Sequence, residues 1–313
     1  MVFINGDADQ TRLYGNETFI HLAELWRKFG GTSGVQLLSG HILSENLDSL
    51  IEQERAYADI VYNFHFLTKR ELKSQFVLNT TEYCIVFLSK SSAIHYTAFT
   101  SEGAKYCPWL KKKLLCRGVQ FVQRRIHSLD ELADEGFPIV VNCAGLDGAR
   151  LAGDDSKVYP IRGILLKVEA PWQKHFLMRD FITFTIPTDS WTNIEQIVYS
   201  IDAVYVGTVK EDHKDNRNIT DEEIRELFNR YVELQPSFQN VKIVDHFVGI
   251  RPGRPDVRVE AETRITKNGT TYKVVHNYGH GGSGFSIGWG TALHASALVL
   301  DSSVDRYERA MSV

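Results

Sequence analysis

The chain has 313 residues, 43% of them apolar and 24% charged, and a net charge of −4. This is the make-up of an ordinary globular protein, long enough for one large or two medium domains. Such a charge offers no footing for nucleic acid or an anionic membrane, no apolar run approaches the ~18 residues of a membrane span, and the opening MVFINGDADQTR lacks the basic and apolar regions of a secretory leader.

Residues 11–30 carry apolar side chains at helical spacing, with Leu13, Phe19, Ile20, Leu22, Ala23 and Trp26 on a broad face, and Gly30-Gly31 ends the pattern. Val35–Leu38 reads as a strand and Glu45–Ala58 as a polar helix. The KRELK run near Lys69 and the Lys111-Lys-Lys run read as solvated helix faces. From residue 101 the rhythm becomes α/β. A helix is expected over Ser101–Leu115, a strand over Val119–Gln123 and a short helix from Ser128. The continuous apolar run Ile139–Val141 suits a parallel strand covered on both faces. It is tipped by Asn142-Cys-Ala-Gly145, and ligands of open α/β sheets gather at such carboxyl ends.

Residues 158–210 are strand-rich, with Ile161–Val168, Phe181–Ile186 and Val204–Val209 β-branched or aromatic. Thr220-Asp-Glu-Glu223 is a capping box opening a helix to Leu234. A long strand is expected over Val241–Ile250. Val257–Thr263 and Tyr272–Val275 then pair as a hairpin across Asn268-Gly269, the sequence favoured in a type I′ turn. The second strand runs straight into a glycine loop and a helical pattern. Gly279, Gly281 and Gly284 stand at G-x-G-x-x-G spacing, where glycine permits a sharp turn and close approach, and the helix start offers free N–H groups. A dinucleotide fingerprint has an acidic residue on a strand about 20 residues further on; here Asp301 and Asp305 fall in the helix and its tail. The loop is therefore one part of a nucleotide site whose main part lies elsewhere.

Cys84, Cys107, Cys116 and Cys143 show no metal-ligand spacing, and Cys107 and Cys116 lie too far apart on one helix for a direct bridge. Buried free thiols are expected. His276 and His280 stand four apart, but zinc is not expected, because the H-E-x-x-H pattern requires a helix and a glutamate. Asn16, Asn79, Asn218 and Asn268 each open an N-x-Thr triplet, which keeps a secreted form open.

Three segments, VVNCAGL with LAGDD, YPIRGILLKVEAPWQKHF, and GIRPGRPDVRVE followed by VVHNYGHGGSGFSIGWGTALHA, occur in this order over residues 140–300. Together they resemble the flavoprotein D-amino-acid oxidases, and within them the D-aspartate oxidase branch. Weaker similarity at LLSGH, IVYNFHFL and YTAFTSEGAKY extends this over most of the chain. The resemblance implies an α/β fold: an FAD-binding, Rossmann-like domain with an inserted antiparallel β-rich substrate domain. Members of the family begin with a strand, a G-x-G-x-x-G turn and a helix that bind the FAD pyrophosphate. That unit has no counterpart here, so the FAD domain is expected to be N-terminally incomplete. It would comprise residues 1–5, 101–163 and 253–313, and the substrate and interface domain residues 6–100 and 164–252.

The implied reaction passes a hydride from the substrate Cα to FAD. The imino acid so formed hydrolyses to a 2-oxo acid and ammonia, and dioxygen takes the electrons to give hydrogen peroxide. With this chemistry carried by the cofactor, no catalytic side chain is expected. Arg251 matches the arginine that grips the substrate α-carboxylate, a bidentate task suited to a guanidinium; a surface arginine at a strand end is the competing reading. Arg179 matches a lid arginine of D-aspartate oxidases, with a solvent-exposed cation equally open. At a further arginine position of that branch stands Val209, with Lys210 beside it, and strand alternation allows only one of the two to point inward. Phe184 replaces a tyrosine that bonds the carboxylate, at a cost of roughly 0.5–1.5 kcal/mol for the lost hydrogen bond. The Gly282 carbonyl matches the acceptor for the substrate amine. Cofactor contacts are implied for Ile126, Ala144, Gly145 and the loop Gly281, Gly282, Ser283, Gly284, Phe285 and Ser286. Arg258 matches a flavin-side arginine, with a structural ion pair as its competitor. Residues 188–203 are longer than the family's turn. Acidic D-amino acids are the expected substrates. The alternatives are neutral D-amino acids or a relative that holds no FAD. The family implies the peroxisomal matrix, although the terminal Ala-Met-Ser-Val is no S-K-L-type address.

Overall fold

The computed structural model describes residues 8–76, 91–190 and 200–302. Asn79, Cys84, Asp305, residues 1–5 and the middle of the stretch 188–203 lie outside the described residues. An eight-stranded sheet runs in the order β2 (Tyr62–Phe66), β3 (Ser92–Ser101), β1 (Val35–Ser44), β6 (Phe176–Arg179), β7 (Thr183–Ser190), β8 (Ser200–Asp212), β5 (Tyr159–Val168), β9 (Ile243–Gly253). Its neighbours pair antiparallel except β1 with β6. A second sheet has β11 (Thr271–Tyr278) between β10 (Arg258–Ile265), antiparallel to it, and β4 (Ile139–Asn142), parallel to it. Strand β5 runs unbroken through residue 163, where the two domains were expected to meet.

Each half of the large sheet has its own core. Ile164, Leu166, Val204 and Val206 pack under Leu227 and Tyr231 of helix α7 (Asp221–Leu234). Ile42, Ile94 and Phe176 pack against Leu50 and Tyr57 of helix α2 (Leu47–Tyr57). The capping box at Thr220 forms as the sequence predicts, with Glu223 returning to the Thr220 N–H at 2.8 Å. Glu223 also reaches Arg162, which is fully buried on β5 and bonded to Glu211 and to the carbonyls of Asn216 and Asn218. The cap thereby fastens α7 to the sheet.

The first helix, α1 (Ala8–Phe29), buries Tyr14, Gly15, Thr18, Leu22 and Leu25 and leaves Ile20 and Trp26 exposed. This differs from the apolar face expected, because α1 packs on the last helix, α8 (Gly284–Val299), through small residues. A Cβ at Gly290 would lie 2.4 Å from the Tyr14 Cα, and the Gly290 N–H donates to the Thr18 hydroxyl at 3.1 Å. Such contact selects for closeness of backbones rather than for large side chains.

Three further expectations are corrected. Residues 119–123 form no strand: they pair with no strand of either sheet among the described residues, and Val119, Phe121 and Val122 are exposed. An extended segment becomes a strand only by pairing. The β10–β11 connection is a five-residue loop closed by Thr266 N–H to the Thr270 carbonyl, with positive φ at Gly269 but not at Asn268. A type I′ turn requires positive φ at both. Cys107, Cys116 and Cys143 are exposed, not buried. The first two belong to the surface helix α4 (Gly103–Leu115) and its end, where only Tyr106 is buried, and Cys143 lies just past the edge strand. Among the described residues no helix is long and apolar enough to cross a membrane, and no group of His, Cys, Asp or Glu could hold a metal ion.

Candidate active site

The glycine loop connects β11 to α8. Gly279 and Gly281 have φ of +87° and +54°, and a Cβ at Gly279 would lie 2.9 Å from Arg254. Only glycine meets both demands. The loop ends at Ser283, whose side chain does not cap α8, so N–H groups of the first turn keep their electropositive character. His280 bonds to the Thr291 hydroxyl at 2.9 Å, and burial lowers its pKa to about 4, so the ring is neutral.

Two cavities flank this loop and share Ile186 in their walls. One, of about 290 Å³, lies between the loop and the large sheet, and Arg251, Lys210, Phe184, Met178, His280 and Gly282 stand in its wall. The other, of about 320 Å³, reaches from Phe285 and Ser286 to α1. Its wall includes Ser101, whose hydroxyl is buried without a partner among the described residues.

Arg251 is carried by β9 opposite Ile161 of β5. Its guanidinium lies over Gly163, where a Cβ would be 2.3 Å from Nη1, and its Cδ faces Gly282. Among the described residues nothing pairs with it, and burial alone lowers its pKa. A half-buried cation without a counter-charge is costly and is the arrangement an anionic ligand completes. The neighbouring Lys210 pairs with Gly163 across β5 and β8 and lines the same cavity, while Val209 packs into the core beneath α7. The ammonium of Lys210 has only a loose contact with Asp212 at 3.9 Å. Alternation therefore turns Lys210, not Val209, toward the site.

Other expected residues stand elsewhere. On β6, Met178 lines the cavity, so alternation directs Arg179 away from it, and its guanidinium reaches Glu233 of α7 at 3.9 Å. Arg258 has its donors on protein: both Asp154 oxygens at 2.7 and 2.9 Å, Glu260 at 2.6 Å and the Tyr278 hydroxyl at 2.9 Å. These partners raise its pKa. With Arg254, Asp155 and Tyr278 it ties the LAGDD segment to the sheet, which is the ion pair named as the competing reading. Ala144 and the left-handed Gly145 form the turn beyond β4, and the Ile126 carbonyl accepts from Arg150 at 3.4 Å. The sequence reading missed Gly163, although a glycine inside an apolar strand is a sign of close approach. Arg254 and His280 also line the cavity, within motifs noted for other reasons.

A large mixed sheet thus faces a glycine loop at a helix start, with an arginine between them that has no counter-charge among the described residues. The chain belongs to the FAD dependent oxidoreductase (DAO) family, whose model matches residues 7–298, and to its D-aspartate oxidase branch. It is 47% identical over 290 residues to D-aspartate oxidase 1 of Caenorhabditis elegans, a match covering 92% of this chain and 80% of that one. It is 35% identical to D-aspartate oxidase of Homo sapiens, over 90% and 75% of the two chains. The fold is like that of glycine oxidase from Geobacillus kaustophilus, with a TM-score of 0.72 at 16% identity over 96% of this chain and 81% of the other. The protein is thus an FAD-dependent oxidase. The open backbone at Gly281 and Gly282, the uncapped start of α8 and the unpaired Ser101 hydroxyl fit a planar polar ring system at this loop.

Proposed function

We propose that this protein oxidatively deaminates acidic D-amino acids, D-aspartate and D-glutamate, to 2-oxo acid, ammonia and hydrogen peroxide. The observation that carries this reading is the pair of cations flanking Gly163, with Arg251 lacking any anionic partner among the described residues. Arg251 takes the α-carboxylate in a bidentate grip. Lys210 takes the side-chain carboxylate, as a point charge that tolerates both side-chain lengths. The Gly282 carbonyl accepts from the neutral amine, and Phe184, Met178 and Ile186 form the apolar wall that excludes water. Bound FAD would supply the hydride acceptor and the electron link to dioxygen. Ile126, Ala144, Gly145 and the segment Gly281–Ser286 would hold it, with the α8 N-terminus favouring negative charge on its ring edge. The relatives named D-aspartate oxidase support the same substrate class. The peroxisomal matrix is the expected compartment, testable by imaging a tagged full-length protein.

The apolar wall also suits a neutral D-amino acid, so the test compares substrates. Peroxide release from D-aspartate, D-glutamate and D-alanine is measured with saturating FAD, for the wild type and Lys210→Met. The expected result is a preference for the acidic substrates, and a Lys210→Met loss of roughly tenfold or more for D-aspartate, the scale of a lost charged contact, with D-alanine little changed. Equal loss for all three would remove Lys210 from specificity. No peroxide from any D-amino acid would overturn the reading itself.

A further inference from the structure

His276 lies wholly inside the small sheet, on β11, paired in register with Asn142 at the end of β4. Its Nε2 meets Glu262 at 2.7 Å and its Nδ1 meets the Asn142 amide nitrogen at 3.3 Å. The same amide donates to the Gly148 carbonyl at 2.9 Å, while its oxygen accepts the Ala144 N–H at 3.3 Å. The Asn142 side chain thus holds both ends of the turn from Ala144 to Gly148. That turn contains the left-handed Gly145, and Gly148 is pressed on the Tyr278 ring so closely that a Cβ would lie 2.6 Å from it. An amide nitrogen can only donate, so Nδ1 must be the acceptor and the ring proton must sit on Nε2, facing the carboxylate.

We infer that His276 is a positioning residue for FAD: through Asn142, its neutral ring sets the backbone of the Ala144–Gly148 turn at the carboxyl end of β4. The inference rests on that turn being part of the cofactor site, as proposed above. A second proton would place N–H donors face to face at Nδ1 and the Asn142 amide, so acid releases the turn. Three charged groups of β10 bear on the ring. Glu262, which is also bonded to Arg264, favours its protonation, whereas Arg258 and Arg264 oppose it. Burial is the largest effect and holds the pKa below its ordinary value.

The test measures FAD dissociation constants by flavin fluorescence from pH 8 to 5 for the full chain, together with amide hydrogen exchange at Ala144 without FAD. The wild type is expected to lose affinity and Ala144 protection on the acid side. His276→Asn keeps an acceptor toward Asn142 without titrating, so it is expected to bind at pH 8 and to lose the acid-side fall. His276→Phe leaves one of the two Asn142 amide N–H groups without an acceptor, the other still held by the Gly148 carbonyl, and is expected to weaken binding roughly tenfold at every pH, as for one unsatisfied buried donor, and to expose the Ala144 amide. Glu262→Gln removes the charge that favours the second proton and is expected to move the acid midpoint down. Circular dichroism establishes folding of each variant. Wild-type affinity in His276→Phe, or an unchanged acid fall in His276→Asn, overturns the inference. If FAD is not retained, unchanged Ala144 exchange in His276→Phe overturns it equally. A wild type that binds FAD yet oxidises no D-amino acid refutes the proposed reaction and leaves the positioning role intact.

Discussion

Replacing Gly163 with alanine separates the site's function from the fold's stability. A Cβ at that position would sit 2.3 Å from Arg251 Nη1 and 2.6 Å from Cζ and Nη2. Ordinary contact needs about 3.5 Å, so the guanidinium must withdraw by roughly 1 Å. It can do so without disturbing the sheet, because it is the far end of a flexible side chain with no partner among the described residues. Gly163 has no left-handed φ, and alanine is favoured over glycine inside a strand by about 0.5–1 kcal/mol. The melting temperature is therefore expected to hold or rise slightly. A 1 Å displacement of a binding group can cost on the order of 10²-fold, and kcat/KM for D-aspartate, followed by oxygen uptake, is expected to fall by about that factor. Gly249, the partner of Gly163 on β9, is the control, since a Cβ there meets nothing within 4 Å. Gly249→Ala should hold or slightly raise the melting temperature in the same way and leave kcat/KM unchanged. An unchanged KM in Gly163→Ala would show that Arg251 does not grip the carboxylate from where it stands.

Arg251→Met removes a half-buried cation that has no counter-charge among the described residues; it should raise stability by about 1 kcal/mol while abolishing saturation by D-aspartate, and a lowered melting temperature would contradict the orphan reading. His280 is held neutral by burial, with its pKa lowered to about 4. The unfolded chain takes up that proton below about pH 6.5 while the folded chain refuses it, so stability is full above that pH and falls toward pH 4, by at most about 3 kcal/mol for this group. His280→Gln should flatten that slope in denaturant titrations, and an equal slope would assign the acid sensitivity elsewhere. The outer edge of β4 pairs with nothing among the described residues, and its Ile139 and Val141 are exposed. The chain is expected to self-associate there, and Val141→Lys to reduce this in light scattering; a monodisperse wild type at high concentration would refute it.

The local code of this protein was readable in its sequence. The capping box at Thr220, the break at Gly30-Gly31 and the glycine loop before α8 depend on neighbours within a few residues, and each appears where spacing and residue type placed it. Resemblance added Arg251 and Lys210 as candidates, but not the direction of either. Only tertiary structure decided the rest, because those properties depend on partners distant in the chain. Alternation along β8 and β6 turned Lys210 into the cavity and Arg179 out of it, and the pairing register that settles this comes from other strands. Arg258 and Arg251 are both strand-end arginines in sequence. One meets Asp154, more than a hundred positions away, and is committed; the other lies over Gly163 with no counter-ion among the described residues. The unpaired segment at residues 119–123 makes the same point. Apolar residues at strand spacing specify a strand only where a neighbouring backbone completes the ladder.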